Sequence, residues 1–277
     1  MPSYDPGDGH RLYYEDAGPR TDARAPLVLL HGWACHAGYF TPQREELADR
    51  FRLIAPDLRG HRHSHEPGDA PDIAQLARDL RALIDQLALP APVLAGWSMG
   101  ALVAFEFIRR YGASGLAGLV VVDMTPRIVN DSGWPHGLLG DYGPAQAEKA
   151  PDLMRQDWPL WVASFLSSVF AAGRVPDQTL LDWVGREMGA ADPTSMAALW
   201  RAMTAADYRS TVPRITLPTL IVRGALSQLY GSGTAEWLAR AMPAAKIAIV
   251  ADAGHAPHLE QPATFNRLIA AFLERIA

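Results

Sequence analysis

The pentapeptide Gly96-Trp97-Ser98-Met99-Gly100 constrains the fold of this chain more than any other segment. It follows an apolar run at 91–95 that predicts a short buried strand, and it precedes a segment at 101–110 with helical spacing of apolar residues. A serine between two glycines at a strand-to-helix junction is typical of a sharp, strained turn that pushes the serine outward. The pattern therefore predicts an open α/β sheet with Ser98 at the carboxyl ends of the strands.

Apolar runs and amphipathic stretches alternate along most of the chain. The apolar runs predict strands near 11–15, 26–30, 51–56, 91–95, 116–123, 218–224 and 245–250, the last two as buried strands. The amphipathic stretches predict helices near 72–87, 101–110, 233–242 and 262–276. Strands that alternate with helices predict an α/β fold with a mostly parallel central sheet and helices on both faces.

The segment 130–210 interrupts this alternation, because it contains no convincing strand run. Trp134 stands at its entry, and four more tryptophans follow within it. The spacing of apolar residues predicts helices near 144–155, 157–171, 176–189 and 193–206. We therefore predict a helical cap at 130–210, inserted between a first part of the core at 1–129 and a second part at 211–277.

The composition restricts the partners and the compartment that suit the chain. Its 277 residues, 49% of them hydrophobic, fit one large domain with an insertion. The formal net charge of −5 gives no reason to expect nucleic acid or an anionic membrane as a partner. The single cysteine, Cys35, excludes an internal disulfide, and neither a signal peptide nor an apolar run of about 20 residues is visible. We therefore expect a soluble cytoplasmic protein that acts on a small molecule without a cofactor.

A serine hydroxyl becomes a nucleophile only with a base to take its proton, an acid to orient that base and donors to stabilise an oxyanion. The base that the sequence offers for Ser98 is His255. It follows the last predicted strand, so it is expected at the same edge of the sheet as the serine. His258 is a second candidate, and a loop histidine without a catalytic role is the alternative for His255.

Two backbone amides are the expected oxyanion donors. One belongs to Met99, the residue after the serine. The other belongs to Trp33, in His31-Gly32-Trp33 after the strand at 26–30, where Gly32 lets the backbone turn. A plain turn with a core tryptophan would also explain Gly32, but not the occurrence of this loop together with the pentapeptide.

Three histidines, His61, His63 and His65, alternate in one short segment. Such spacing can hold a metal ion, but no nearby cysteine or set of carboxylates completes the ligands. We therefore expect a solvated loop here and no metal site.

Four motifs follow one another in an order known from a large family: His31-Gly32-Trp33, Asp57-Leu58-Arg59-Gly60-His61, the pentapeptide around Ser98 and Ala253-Gly254-His255. On these motifs the chain resembles the α/β-hydrolase superfamily. The branch it resembles contains small esterases, pimeloyl-ACP methyl ester esterases and cofactor-free haloperoxidases. The resemblance covers nearly all of the chain except the predicted cap. It implies the α/β-hydrolase fold and a catalytic triad in the chain order serine, acid, histidine.

The acid is the point at which the chain departs from this family. Most members carry an aspartate in the turn after the strand that is here at 219–223. This chain has Ser227 at that place and no carboxylate between Gly224 and Thr234. A serine cannot carry the charge that stabilises an imidazolium, so the acid must come from elsewhere.

The substitute that we favour is Asp123, which ends the strand after the one that carries Ser98. It is expected to emerge at the same edge of the sheet. Zearalenone lactonase-like enzymes resemble this arrangement, with the acid after the neighbouring strand. The alternatives are that Asp123 only caps a turn, or that Asp252 or Glu260 orients the base.

Tryptophans are expected to form the walls of the substrate pocket. They are Trp33 in the core and, from the predicted cap, Trp158, Trp161, Trp183 and Trp200. Aromatic and methionine side chains favour an apolar, adaptable pocket. We therefore predict an uncharged or weakly polar ester with an aliphatic or aromatic acyl part. A lactone is compatible with the placement of the acid.

The function predicted from these residues is that of a serine carboxylic-ester hydrolase, working through an acyl-enzyme on Ser98 with Asp123 and His255. Two alternatives keep the same site: a perhydrolase or haloperoxidase-like activity, and a hydrolase-shaped ligand-binding protein with little turnover. The same machinery also serves thioesterases and amidases. A dehalogenase or epoxide hydrolase is disfavoured, because those relatives carry an aspartate where this chain has Ser98.

Overall fold

One eight-stranded sheet organises the protein, whose computed structural model describes residues 1–20 and 24–276. The strands are β1 (Ser3–Tyr4), β2 (Leu12–Ala17), β3 (Leu27–Leu30), β4 (Leu53–Pro56), β5 (Val93–Trp97), β6 (Gly118–Val122), β7 (Thr219–Gly224) and β8 (Ala245–Val250). Their order across the sheet is β1-β2-β4-β3-β5-β6-β7-β8. The pairs β1–β2 and β2–β4 are antiparallel and the other neighbours are parallel. The prediction of a mostly parallel sheet is therefore confirmed.

The helices lie between and after these strands. In the described residues they are α1 (Thr41–Leu47), α2 (Ile73–Gln86), α3 (Met99–Tyr111), α4 (Pro144–Gln156), α5 (Trp158–Val169), α6 (Gln178–Gly189), α7 (Pro193–Ala205), α8 (Ser232–Ala241), α9 (Pro257–Glu260) and α10 (Pro262–Ile276). The core helices α2, α8 and α10 begin and end within about one residue of the expected bounds. For α2 the start is set by Asp72, whose carboxylate accepts the backbone N–H of Gln75 at 2.6 Å.

Helices cover both faces of the sheet, as expected. Gly96 of β5 faces α3, because a Cβ atom there would overlap the backbone of that helix. Gly96 pairs with Val121 of β6, so Gly118, three residues earlier, faces the opposite side. There Phe272 of α10 lies 3.1 Å from the position of a Cβ atom on Gly118. The helices α3 and α10 therefore pack on opposite faces.

The strand at 245–250 differs from the expectation of a buried strand. In the part of the chain that the structure describes, β8 pairs only with β7 and forms the edge of the sheet. Ile247 and Ile249 are 38% and 59% exposed. The expectation was wrong because an apolar run predicts a strand without indicating its neighbours, and the order of the strands decides which one is at the edge.

Between β6 and β7 the chain forms α4 to α7, each within about two residues of its expected bounds. Three of these helices begin after an aspartate whose carboxylate accepts a backbone N–H of the first turn: Asp157, Asp177 and Asp192. The indole N–H of Trp33 donates to the carbonyl of Met196 at 2.9 Å, which ties α7 to the loop after β3. The division of the chain into core and cap stays a prediction.

Short elements were not predicted. The strand β1 has two residues and α9 has four, so neither shows a hydrophobic period. In α1 only Gln43 and Leu47 are buried, too few for a visible apolar stripe. Among the described helices none is both long and apolar enough to cross a bilayer.

Candidate active site

Ser98 lies at the turn between β5 and α3 with a φ of 53° and a ψ of −122°. This is a backbone conformation that non-glycine residues rarely adopt, and it costs about 1–3 kcal/mol. The turn closes because its flanking residues lack side chains. A Cβ atom on Gly100 would overlap the carbonyl group of Leu30, and one on Gly96 would overlap the start of α3. The pentapeptide thus forms the strained turn that its sequence predicts.

The carboxylate of Asp123 and the imidazole of His255 form a buried pair. Asp123 follows β6 directly, with a φ of 42°, and its backbone N–H donates to the carbonyl of Val222 at 2.8 Å. Its Oδ2 atom lies 2.8 Å from Nδ1 of His255, and both side chains are at most 3% exposed. Since a carboxylate only accepts hydrogen bonds, this contact assigns the proton to Nδ1. The other ring nitrogen, Nε2, is then free to accept a proton.

Backbone contacts hold the loop that carries His255. Its N–H donates to the carbonyl of Val169 at 3.0 Å, and its carbonyl accepts the indole N–H of Trp97 at 2.7 Å. The carboxylate of Glu260 accepts two backbone N–H groups, from Gly254 at 2.7 Å and Ala171 at 2.8 Å. Burial raises the pKa of Glu260, and its backbone hydrogen bonds oppose that shift. Glu260 therefore supports the loop and does not bond the imidazole.

The other alternative acid is also directed elsewhere. The carboxylate of Asp252 forms an ion pair with Arg174 at the surface. Ser227, which stands in the turn after β7, donates its hydroxyl to Oδ2 of Asp123 at 2.6 Å. Of the carboxylates weighed from the sequence, Asp123 is the one that bonds His255.

Ser98 and His255 both line one cavity. In the described residues they form no direct hydrogen bond. Contacts between a catalytic hydroxyl and its base are often long without substrate and shorten when the substrate binds. The arrangement therefore brings a hydroxyl, a base and an acid to one edge of the sheet, at the ends of β5, β6 and β8.

The loop after β3 lies directly beside the serine. A Cβ atom on Gly32 would lie 3.3 Å from the Cβ atom of Ser98. His31 shapes this loop: its Nε2 accepts the N–H of Leu58 at 2.9 Å, so its Nδ1 donates to the carbonyl of Gly32 at 2.8 Å. Burial holds the pKa of His31 well below its ordinary value, which keeps the ring neutral.

The backbone N–H groups of Trp33 and Met99 are buried, and neither has a hydrogen-bond acceptor within residues 1–20 and 24–276. Buried N–H groups without a partner are rare in proteins. Two of them, one next to Ser98 in the chain and one in the loop that packs on it, are suited to bind an oxyanion.

The cavity is largely apolar, and the described residues that line it include no acidic or strongly basic side chain. Its lining consists of Gly32, Trp33, Cys35, Tyr39, Trp97, Ser98, Ile128, Leu138, Phe165, Val169, Val184, Met188, Trp200, Met203, Leu229, Tyr230 and His255. A charged substrate group would lose its hydration here without gaining a counter-ion, which costs several kcal/mol. The cavity is therefore suited to a neutral ligand.

The tryptophans expected in the pocket divide into two groups. Trp33 and Trp200 line the cavity, with their rings edge to face at 5.1 Å. The other three lie outside the lining. Trp158 packs against Trp33 at 5.4 Å and donates to the carbonyl of Gly189, Trp161 packs against Trp200, and Trp183 packs against Tyr39. They pack against residues that line the cavity. The spacing of residues along a helix does not show whether a tryptophan lines the cavity or packs against the residues that do.

Two tyrosines that the sequence reasoning missed also line the cavity. Tyr39 lies in a short 3-10 helix after the loop that follows β3, and Tyr230 lies three residues after Ser227, with its ring 5.8 Å from that of His255. Burial, and after it the charge of Asp123, raises the pKa of Tyr230, so its hydroxyl keeps its proton. Because Tyr230 lies in the turn after β7, where the family usually carries its acid, its position in the sequence could have indicated that it lies near the active site.

The remaining histidines are placed differently from expectation. His258, the second candidate for the base, is fully buried against Trp97 and Phe265 and does not line the cavity. The segment 61–65 is only partly solvated: His63 is exposed, but His61 is 1% exposed and its ring packs on His31 at 4.7 Å. The expectation of a solvated loop was therefore wrong for His61, because its ring packs against His31 in the loop after β3.

Comparison with known proteins identifies the class. The family model described as the Alpha/beta hydrolase family matches residues 27–268. The chain belongs to the alpha/beta hydrolase family, and the resemblance drawn from its motifs is confirmed.

Individual relatives cover nearly the whole chain. A pimeloyl-[acyl-carrier protein] methyl ester esterase from Chromobacterium violaceum is 30% identical over 267 residues, which are 95% of this chain and 98% of that protein. An esterase from Exiguobacterium antarcticum has the same fold with a TM-score of 0.89 at 25% identity, over 98% of both chains. The enol-lactonase from Burkholderia xenovorans LB400 has a TM-score of 0.83 at 25% identity, over 98% of this chain and 99% of its own.

Proposed function

We propose that this protein is a serine carboxylic-ester hydrolase in which Ser98, Asp123 and His255 form the catalytic triad. The ester-hydrolase class is supported by the esterases among its relatives and structural neighbours. The observation that carries the triad is the 2.8 Å contact between Asp123 and His255, buried behind a cavity that Ser98 also lines. In this arrangement a carboxylate orients a base that lines the same cavity as the serine.

In the first half of the reaction, Nε2 of His255 takes the proton of Ser98 as Oγ attacks the ester carbonyl carbon. The carbonyl electron pair moves to the oxygen, which the N–H groups of Trp33 and Met99 stabilise. The tetrahedral intermediate then collapses. The bond to the leaving alcohol breaks, and protonated His255 donates its proton to that alcohol, which leaves an acyl-enzyme.

In the second half, water enters and His255 takes one of its protons as the oxygen attacks the acyl carbon. The same two N–H groups stabilise the second oxyanion. When this intermediate collapses, the bond to Oγ of Ser98 breaks and His255 returns the proton to the serine. Asp123 stays ionised throughout and stabilises the imidazolium that forms twice in the cycle.

The substrate that we propose is a small neutral ester or lactone with an aliphatic or aromatic acyl part. The uncharged, largely apolar lining supports this choice, and the enol-lactonase among the structural neighbours makes lactones worth testing. We further propose a cytoplasmic location. Cys35 is a free, buried thiol, and thiols stay reduced in the cytosol, which supports this location.

The test is hydrolysis of p-nitrophenyl butyrate by the wild type, Ser98→Ala and the matched control Ser132→Ala, a serine exposed after β6. We expect a burst of p-nitrophenol equivalent to the enzyme in the wild type and the control, and none in Ser98→Ala. Unchanged turnover in Ser98→Ala would show that Ser98 is not the nucleophile. Binding of neutral esters and lactones without any turnover would point to a ligand-binding protein, and acceleration only on addition of peroxide to a perhydrolase.

The charge preference is tested with two acyl groups of the same length. We expect kcat/KM for p-nitrophenyl butyrate to exceed that for p-nitrophenyl hemisuccinate by about 100-fold or more, since the carboxylate would be buried unpaired. Equal rates for the two substrates would contradict the proposal of a neutral substrate.

A further inference from the structure

Ser227 and His255 converge on a single carboxylate oxygen. Oδ2 of Asp123 lies 2.6 Å from Oγ of Ser227 and 2.8 Å from Nδ1 of His255. The two contacts come from different parts of the fold, since Ser227 lies in the turn after β7 and His255 in the loop after β8. The orientation of this one oxygen therefore depends on both partners.

The direction of the serine's hydrogen bond follows from its other contacts. The backbone N–H groups of Leu229 and Tyr230 both donate to Oγ of Ser227, each at 3.3 Å. A hydroxyl has two acceptor sites and one proton. With both acceptor sites occupied, the proton of Ser227 is directed at Asp123, and every hydrogen-bonding capacity of the hydroxyl is used.

Asp123 needs such support because its backbone is strained. With a φ of 42°, it has a conformation that is held by its surroundings and not by its own preference. Its N–H is bonded to Val222, which fixes the main chain but leaves the side-chain torsions to be fixed by side-chain partners. In the described residues, those partners are Ser227 and His255.

We propose that Ser227 is a positioning residue that orients the carboxylate of Asp123 toward His255. The inference rests on the proposed function, because it takes Asp123 and His255 as acid and base. The proposal follows from the convergence of Ser227 and His255 on Oδ2 of Asp123.

The first test compares Ser227→Ala with Ser227→Thr, which retains a hydroxyl. We expect Ser227→Ala to lower kcat about 10-fold with little change in KM, the loss that removal of one hydrogen bond to a charged group produces. The acidic limb of its kcat/KM profile should move to higher pH, because a carboxylate that no longer accepts a hydrogen bond from Ser227 interacts more strongly with the imidazolium. Ser227→Thr should restore both readouts.

A merely structural role for Ser227 predicts a different result. The turn at 227–230 would loosen, so the melting temperature would fall while kcat and the pH profile of the remaining folded enzyme stayed unchanged. That outcome would overturn the positioning role.

The triad itself is tested with Asp123→Gly. Glycine tolerates the positive φ of residue 123, so Asp123→Gly removes the carboxylate without adding strain. We expect Asp123→Gly to be inactive.

Failure of the proposed function would be visible separately. If Asp123→Gly kept wild-type activity, or Ser98→Ala still hydrolysed esters, the triad itself would be wrong. If both variants were inactive and only the Ser227 results failed, the triad would stand without this positioning residue.

Discussion

Two of the described non-glycine residues with a positive φ lie where the chemistry is proposed. Ser98 and Asp123 both have positive φ values, 53° and 42°, although neither is glycine. Each such residue costs about 1–3 kcal/mol, so the surrounding structure must impose it. At Ser98 the close packing of Gly100 on Leu30 does so, and at Asp123 the hydrogen bonds to its main chain and carboxylate do so.

The role of Asp123 can be tested by removing its charge while keeping its shape. Asp123→Asn should lower kcat by about 10³- to 10⁴-fold, since an amide neither stabilises the imidazolium nor keeps the proton on Nδ1 of His255. Thermal unfolding should change little. Steady-state kinetics with p-nitrophenyl butyrate checks this, with Asp182→Asn, an exposed residue of α6, as the control. Near-wild-type rates in Asp123→Asn combined with an inactive Asp252→Asn would move the acid to Asp252.

At the scale of elements, the junction of β5 and α3 tolerates no added atom. Gly100→Ala would place a Cβ atom on the backbone of Leu30, where no flexible side chain can move aside. We expect it to lower the free energy of unfolding by about 3 kcal/mol or more. Gly115→Ala is the control, because a Cβ atom there meets nothing within 4 Å. Urea unfolding of the two variants measures the difference, and equal stabilities would contradict the close approach.

The four helices between β6 and β7 supply part of the cavity wall, and one methionine tests this. Met203 of α7 and Met154 of α4 are both buried, but only Met203 lines the cavity. Substituting either by alanine should cost about 2–5 kcal/mol of stability. Met203→Ala alone should shift the preference among p-nitrophenyl esters toward longer acyl chains, because it enlarges the cavity.

The readout for this pair is the ratio of kcat/KM for octanoate to that for butyrate. The ratio should rise in Met203→Ala and stay at the wild-type value in Met154→Ala. A rise in both variants would mean that general loosening of the helices, and not the cavity wall, sets the acyl preference.

For the whole molecule, buried histidines make stability depend on pH. Burial lowers the pKa of His258 to about 3 and that of His61 to about 4. Between these values and the ordinary pKa of about 6.5, the unfolded chain takes up protons that the folded protein does not. The free energy of unfolding should therefore fall as the pH is lowered through this range, by up to about 1.4 kcal/mol per pH unit for each histidine.

The variant His258→Phe tests this dependence. Within residues 1–20 and 24–276, neither ring nitrogen of His258 has a hydrogen-bond partner. Its neighbours include Phe40, Trp97 and Phe265, so an apolar ring suits the site. Urea unfolding at pH 6.5, 5.5 and 4.5 should give a shallower loss of stability in His258→Phe than in the wild type. The exposed His63→Phe is the control. Parallel slopes in all three proteins would show that His258 does not contribute.

Local patterns were enough to predict much of this molecule. The glycines around Ser98 predicted the strained turn, because only residues without side chains fit there. The period of apolar residues predicted most helices and strands, because that period depends on neighbouring residues in the chain. The order of the motifs indicated the family.

Tertiary structure decided what depends on residues far apart in the chain. Which side chain bonds His255 follows from the assembled sheet, in which β7 alone separates β6 from β8, so that the loop after β8 reaches Asp123. Contacts with other partners direct Asp252 and Glu260 elsewhere. Contacts between distant elements also decide three other features. They expose β8, bury His61 and place Trp200, not Trp161, in the lining of the cavity. A sequence pattern shows which residues share a face of one element, but what that face packs against is set only when the elements assemble.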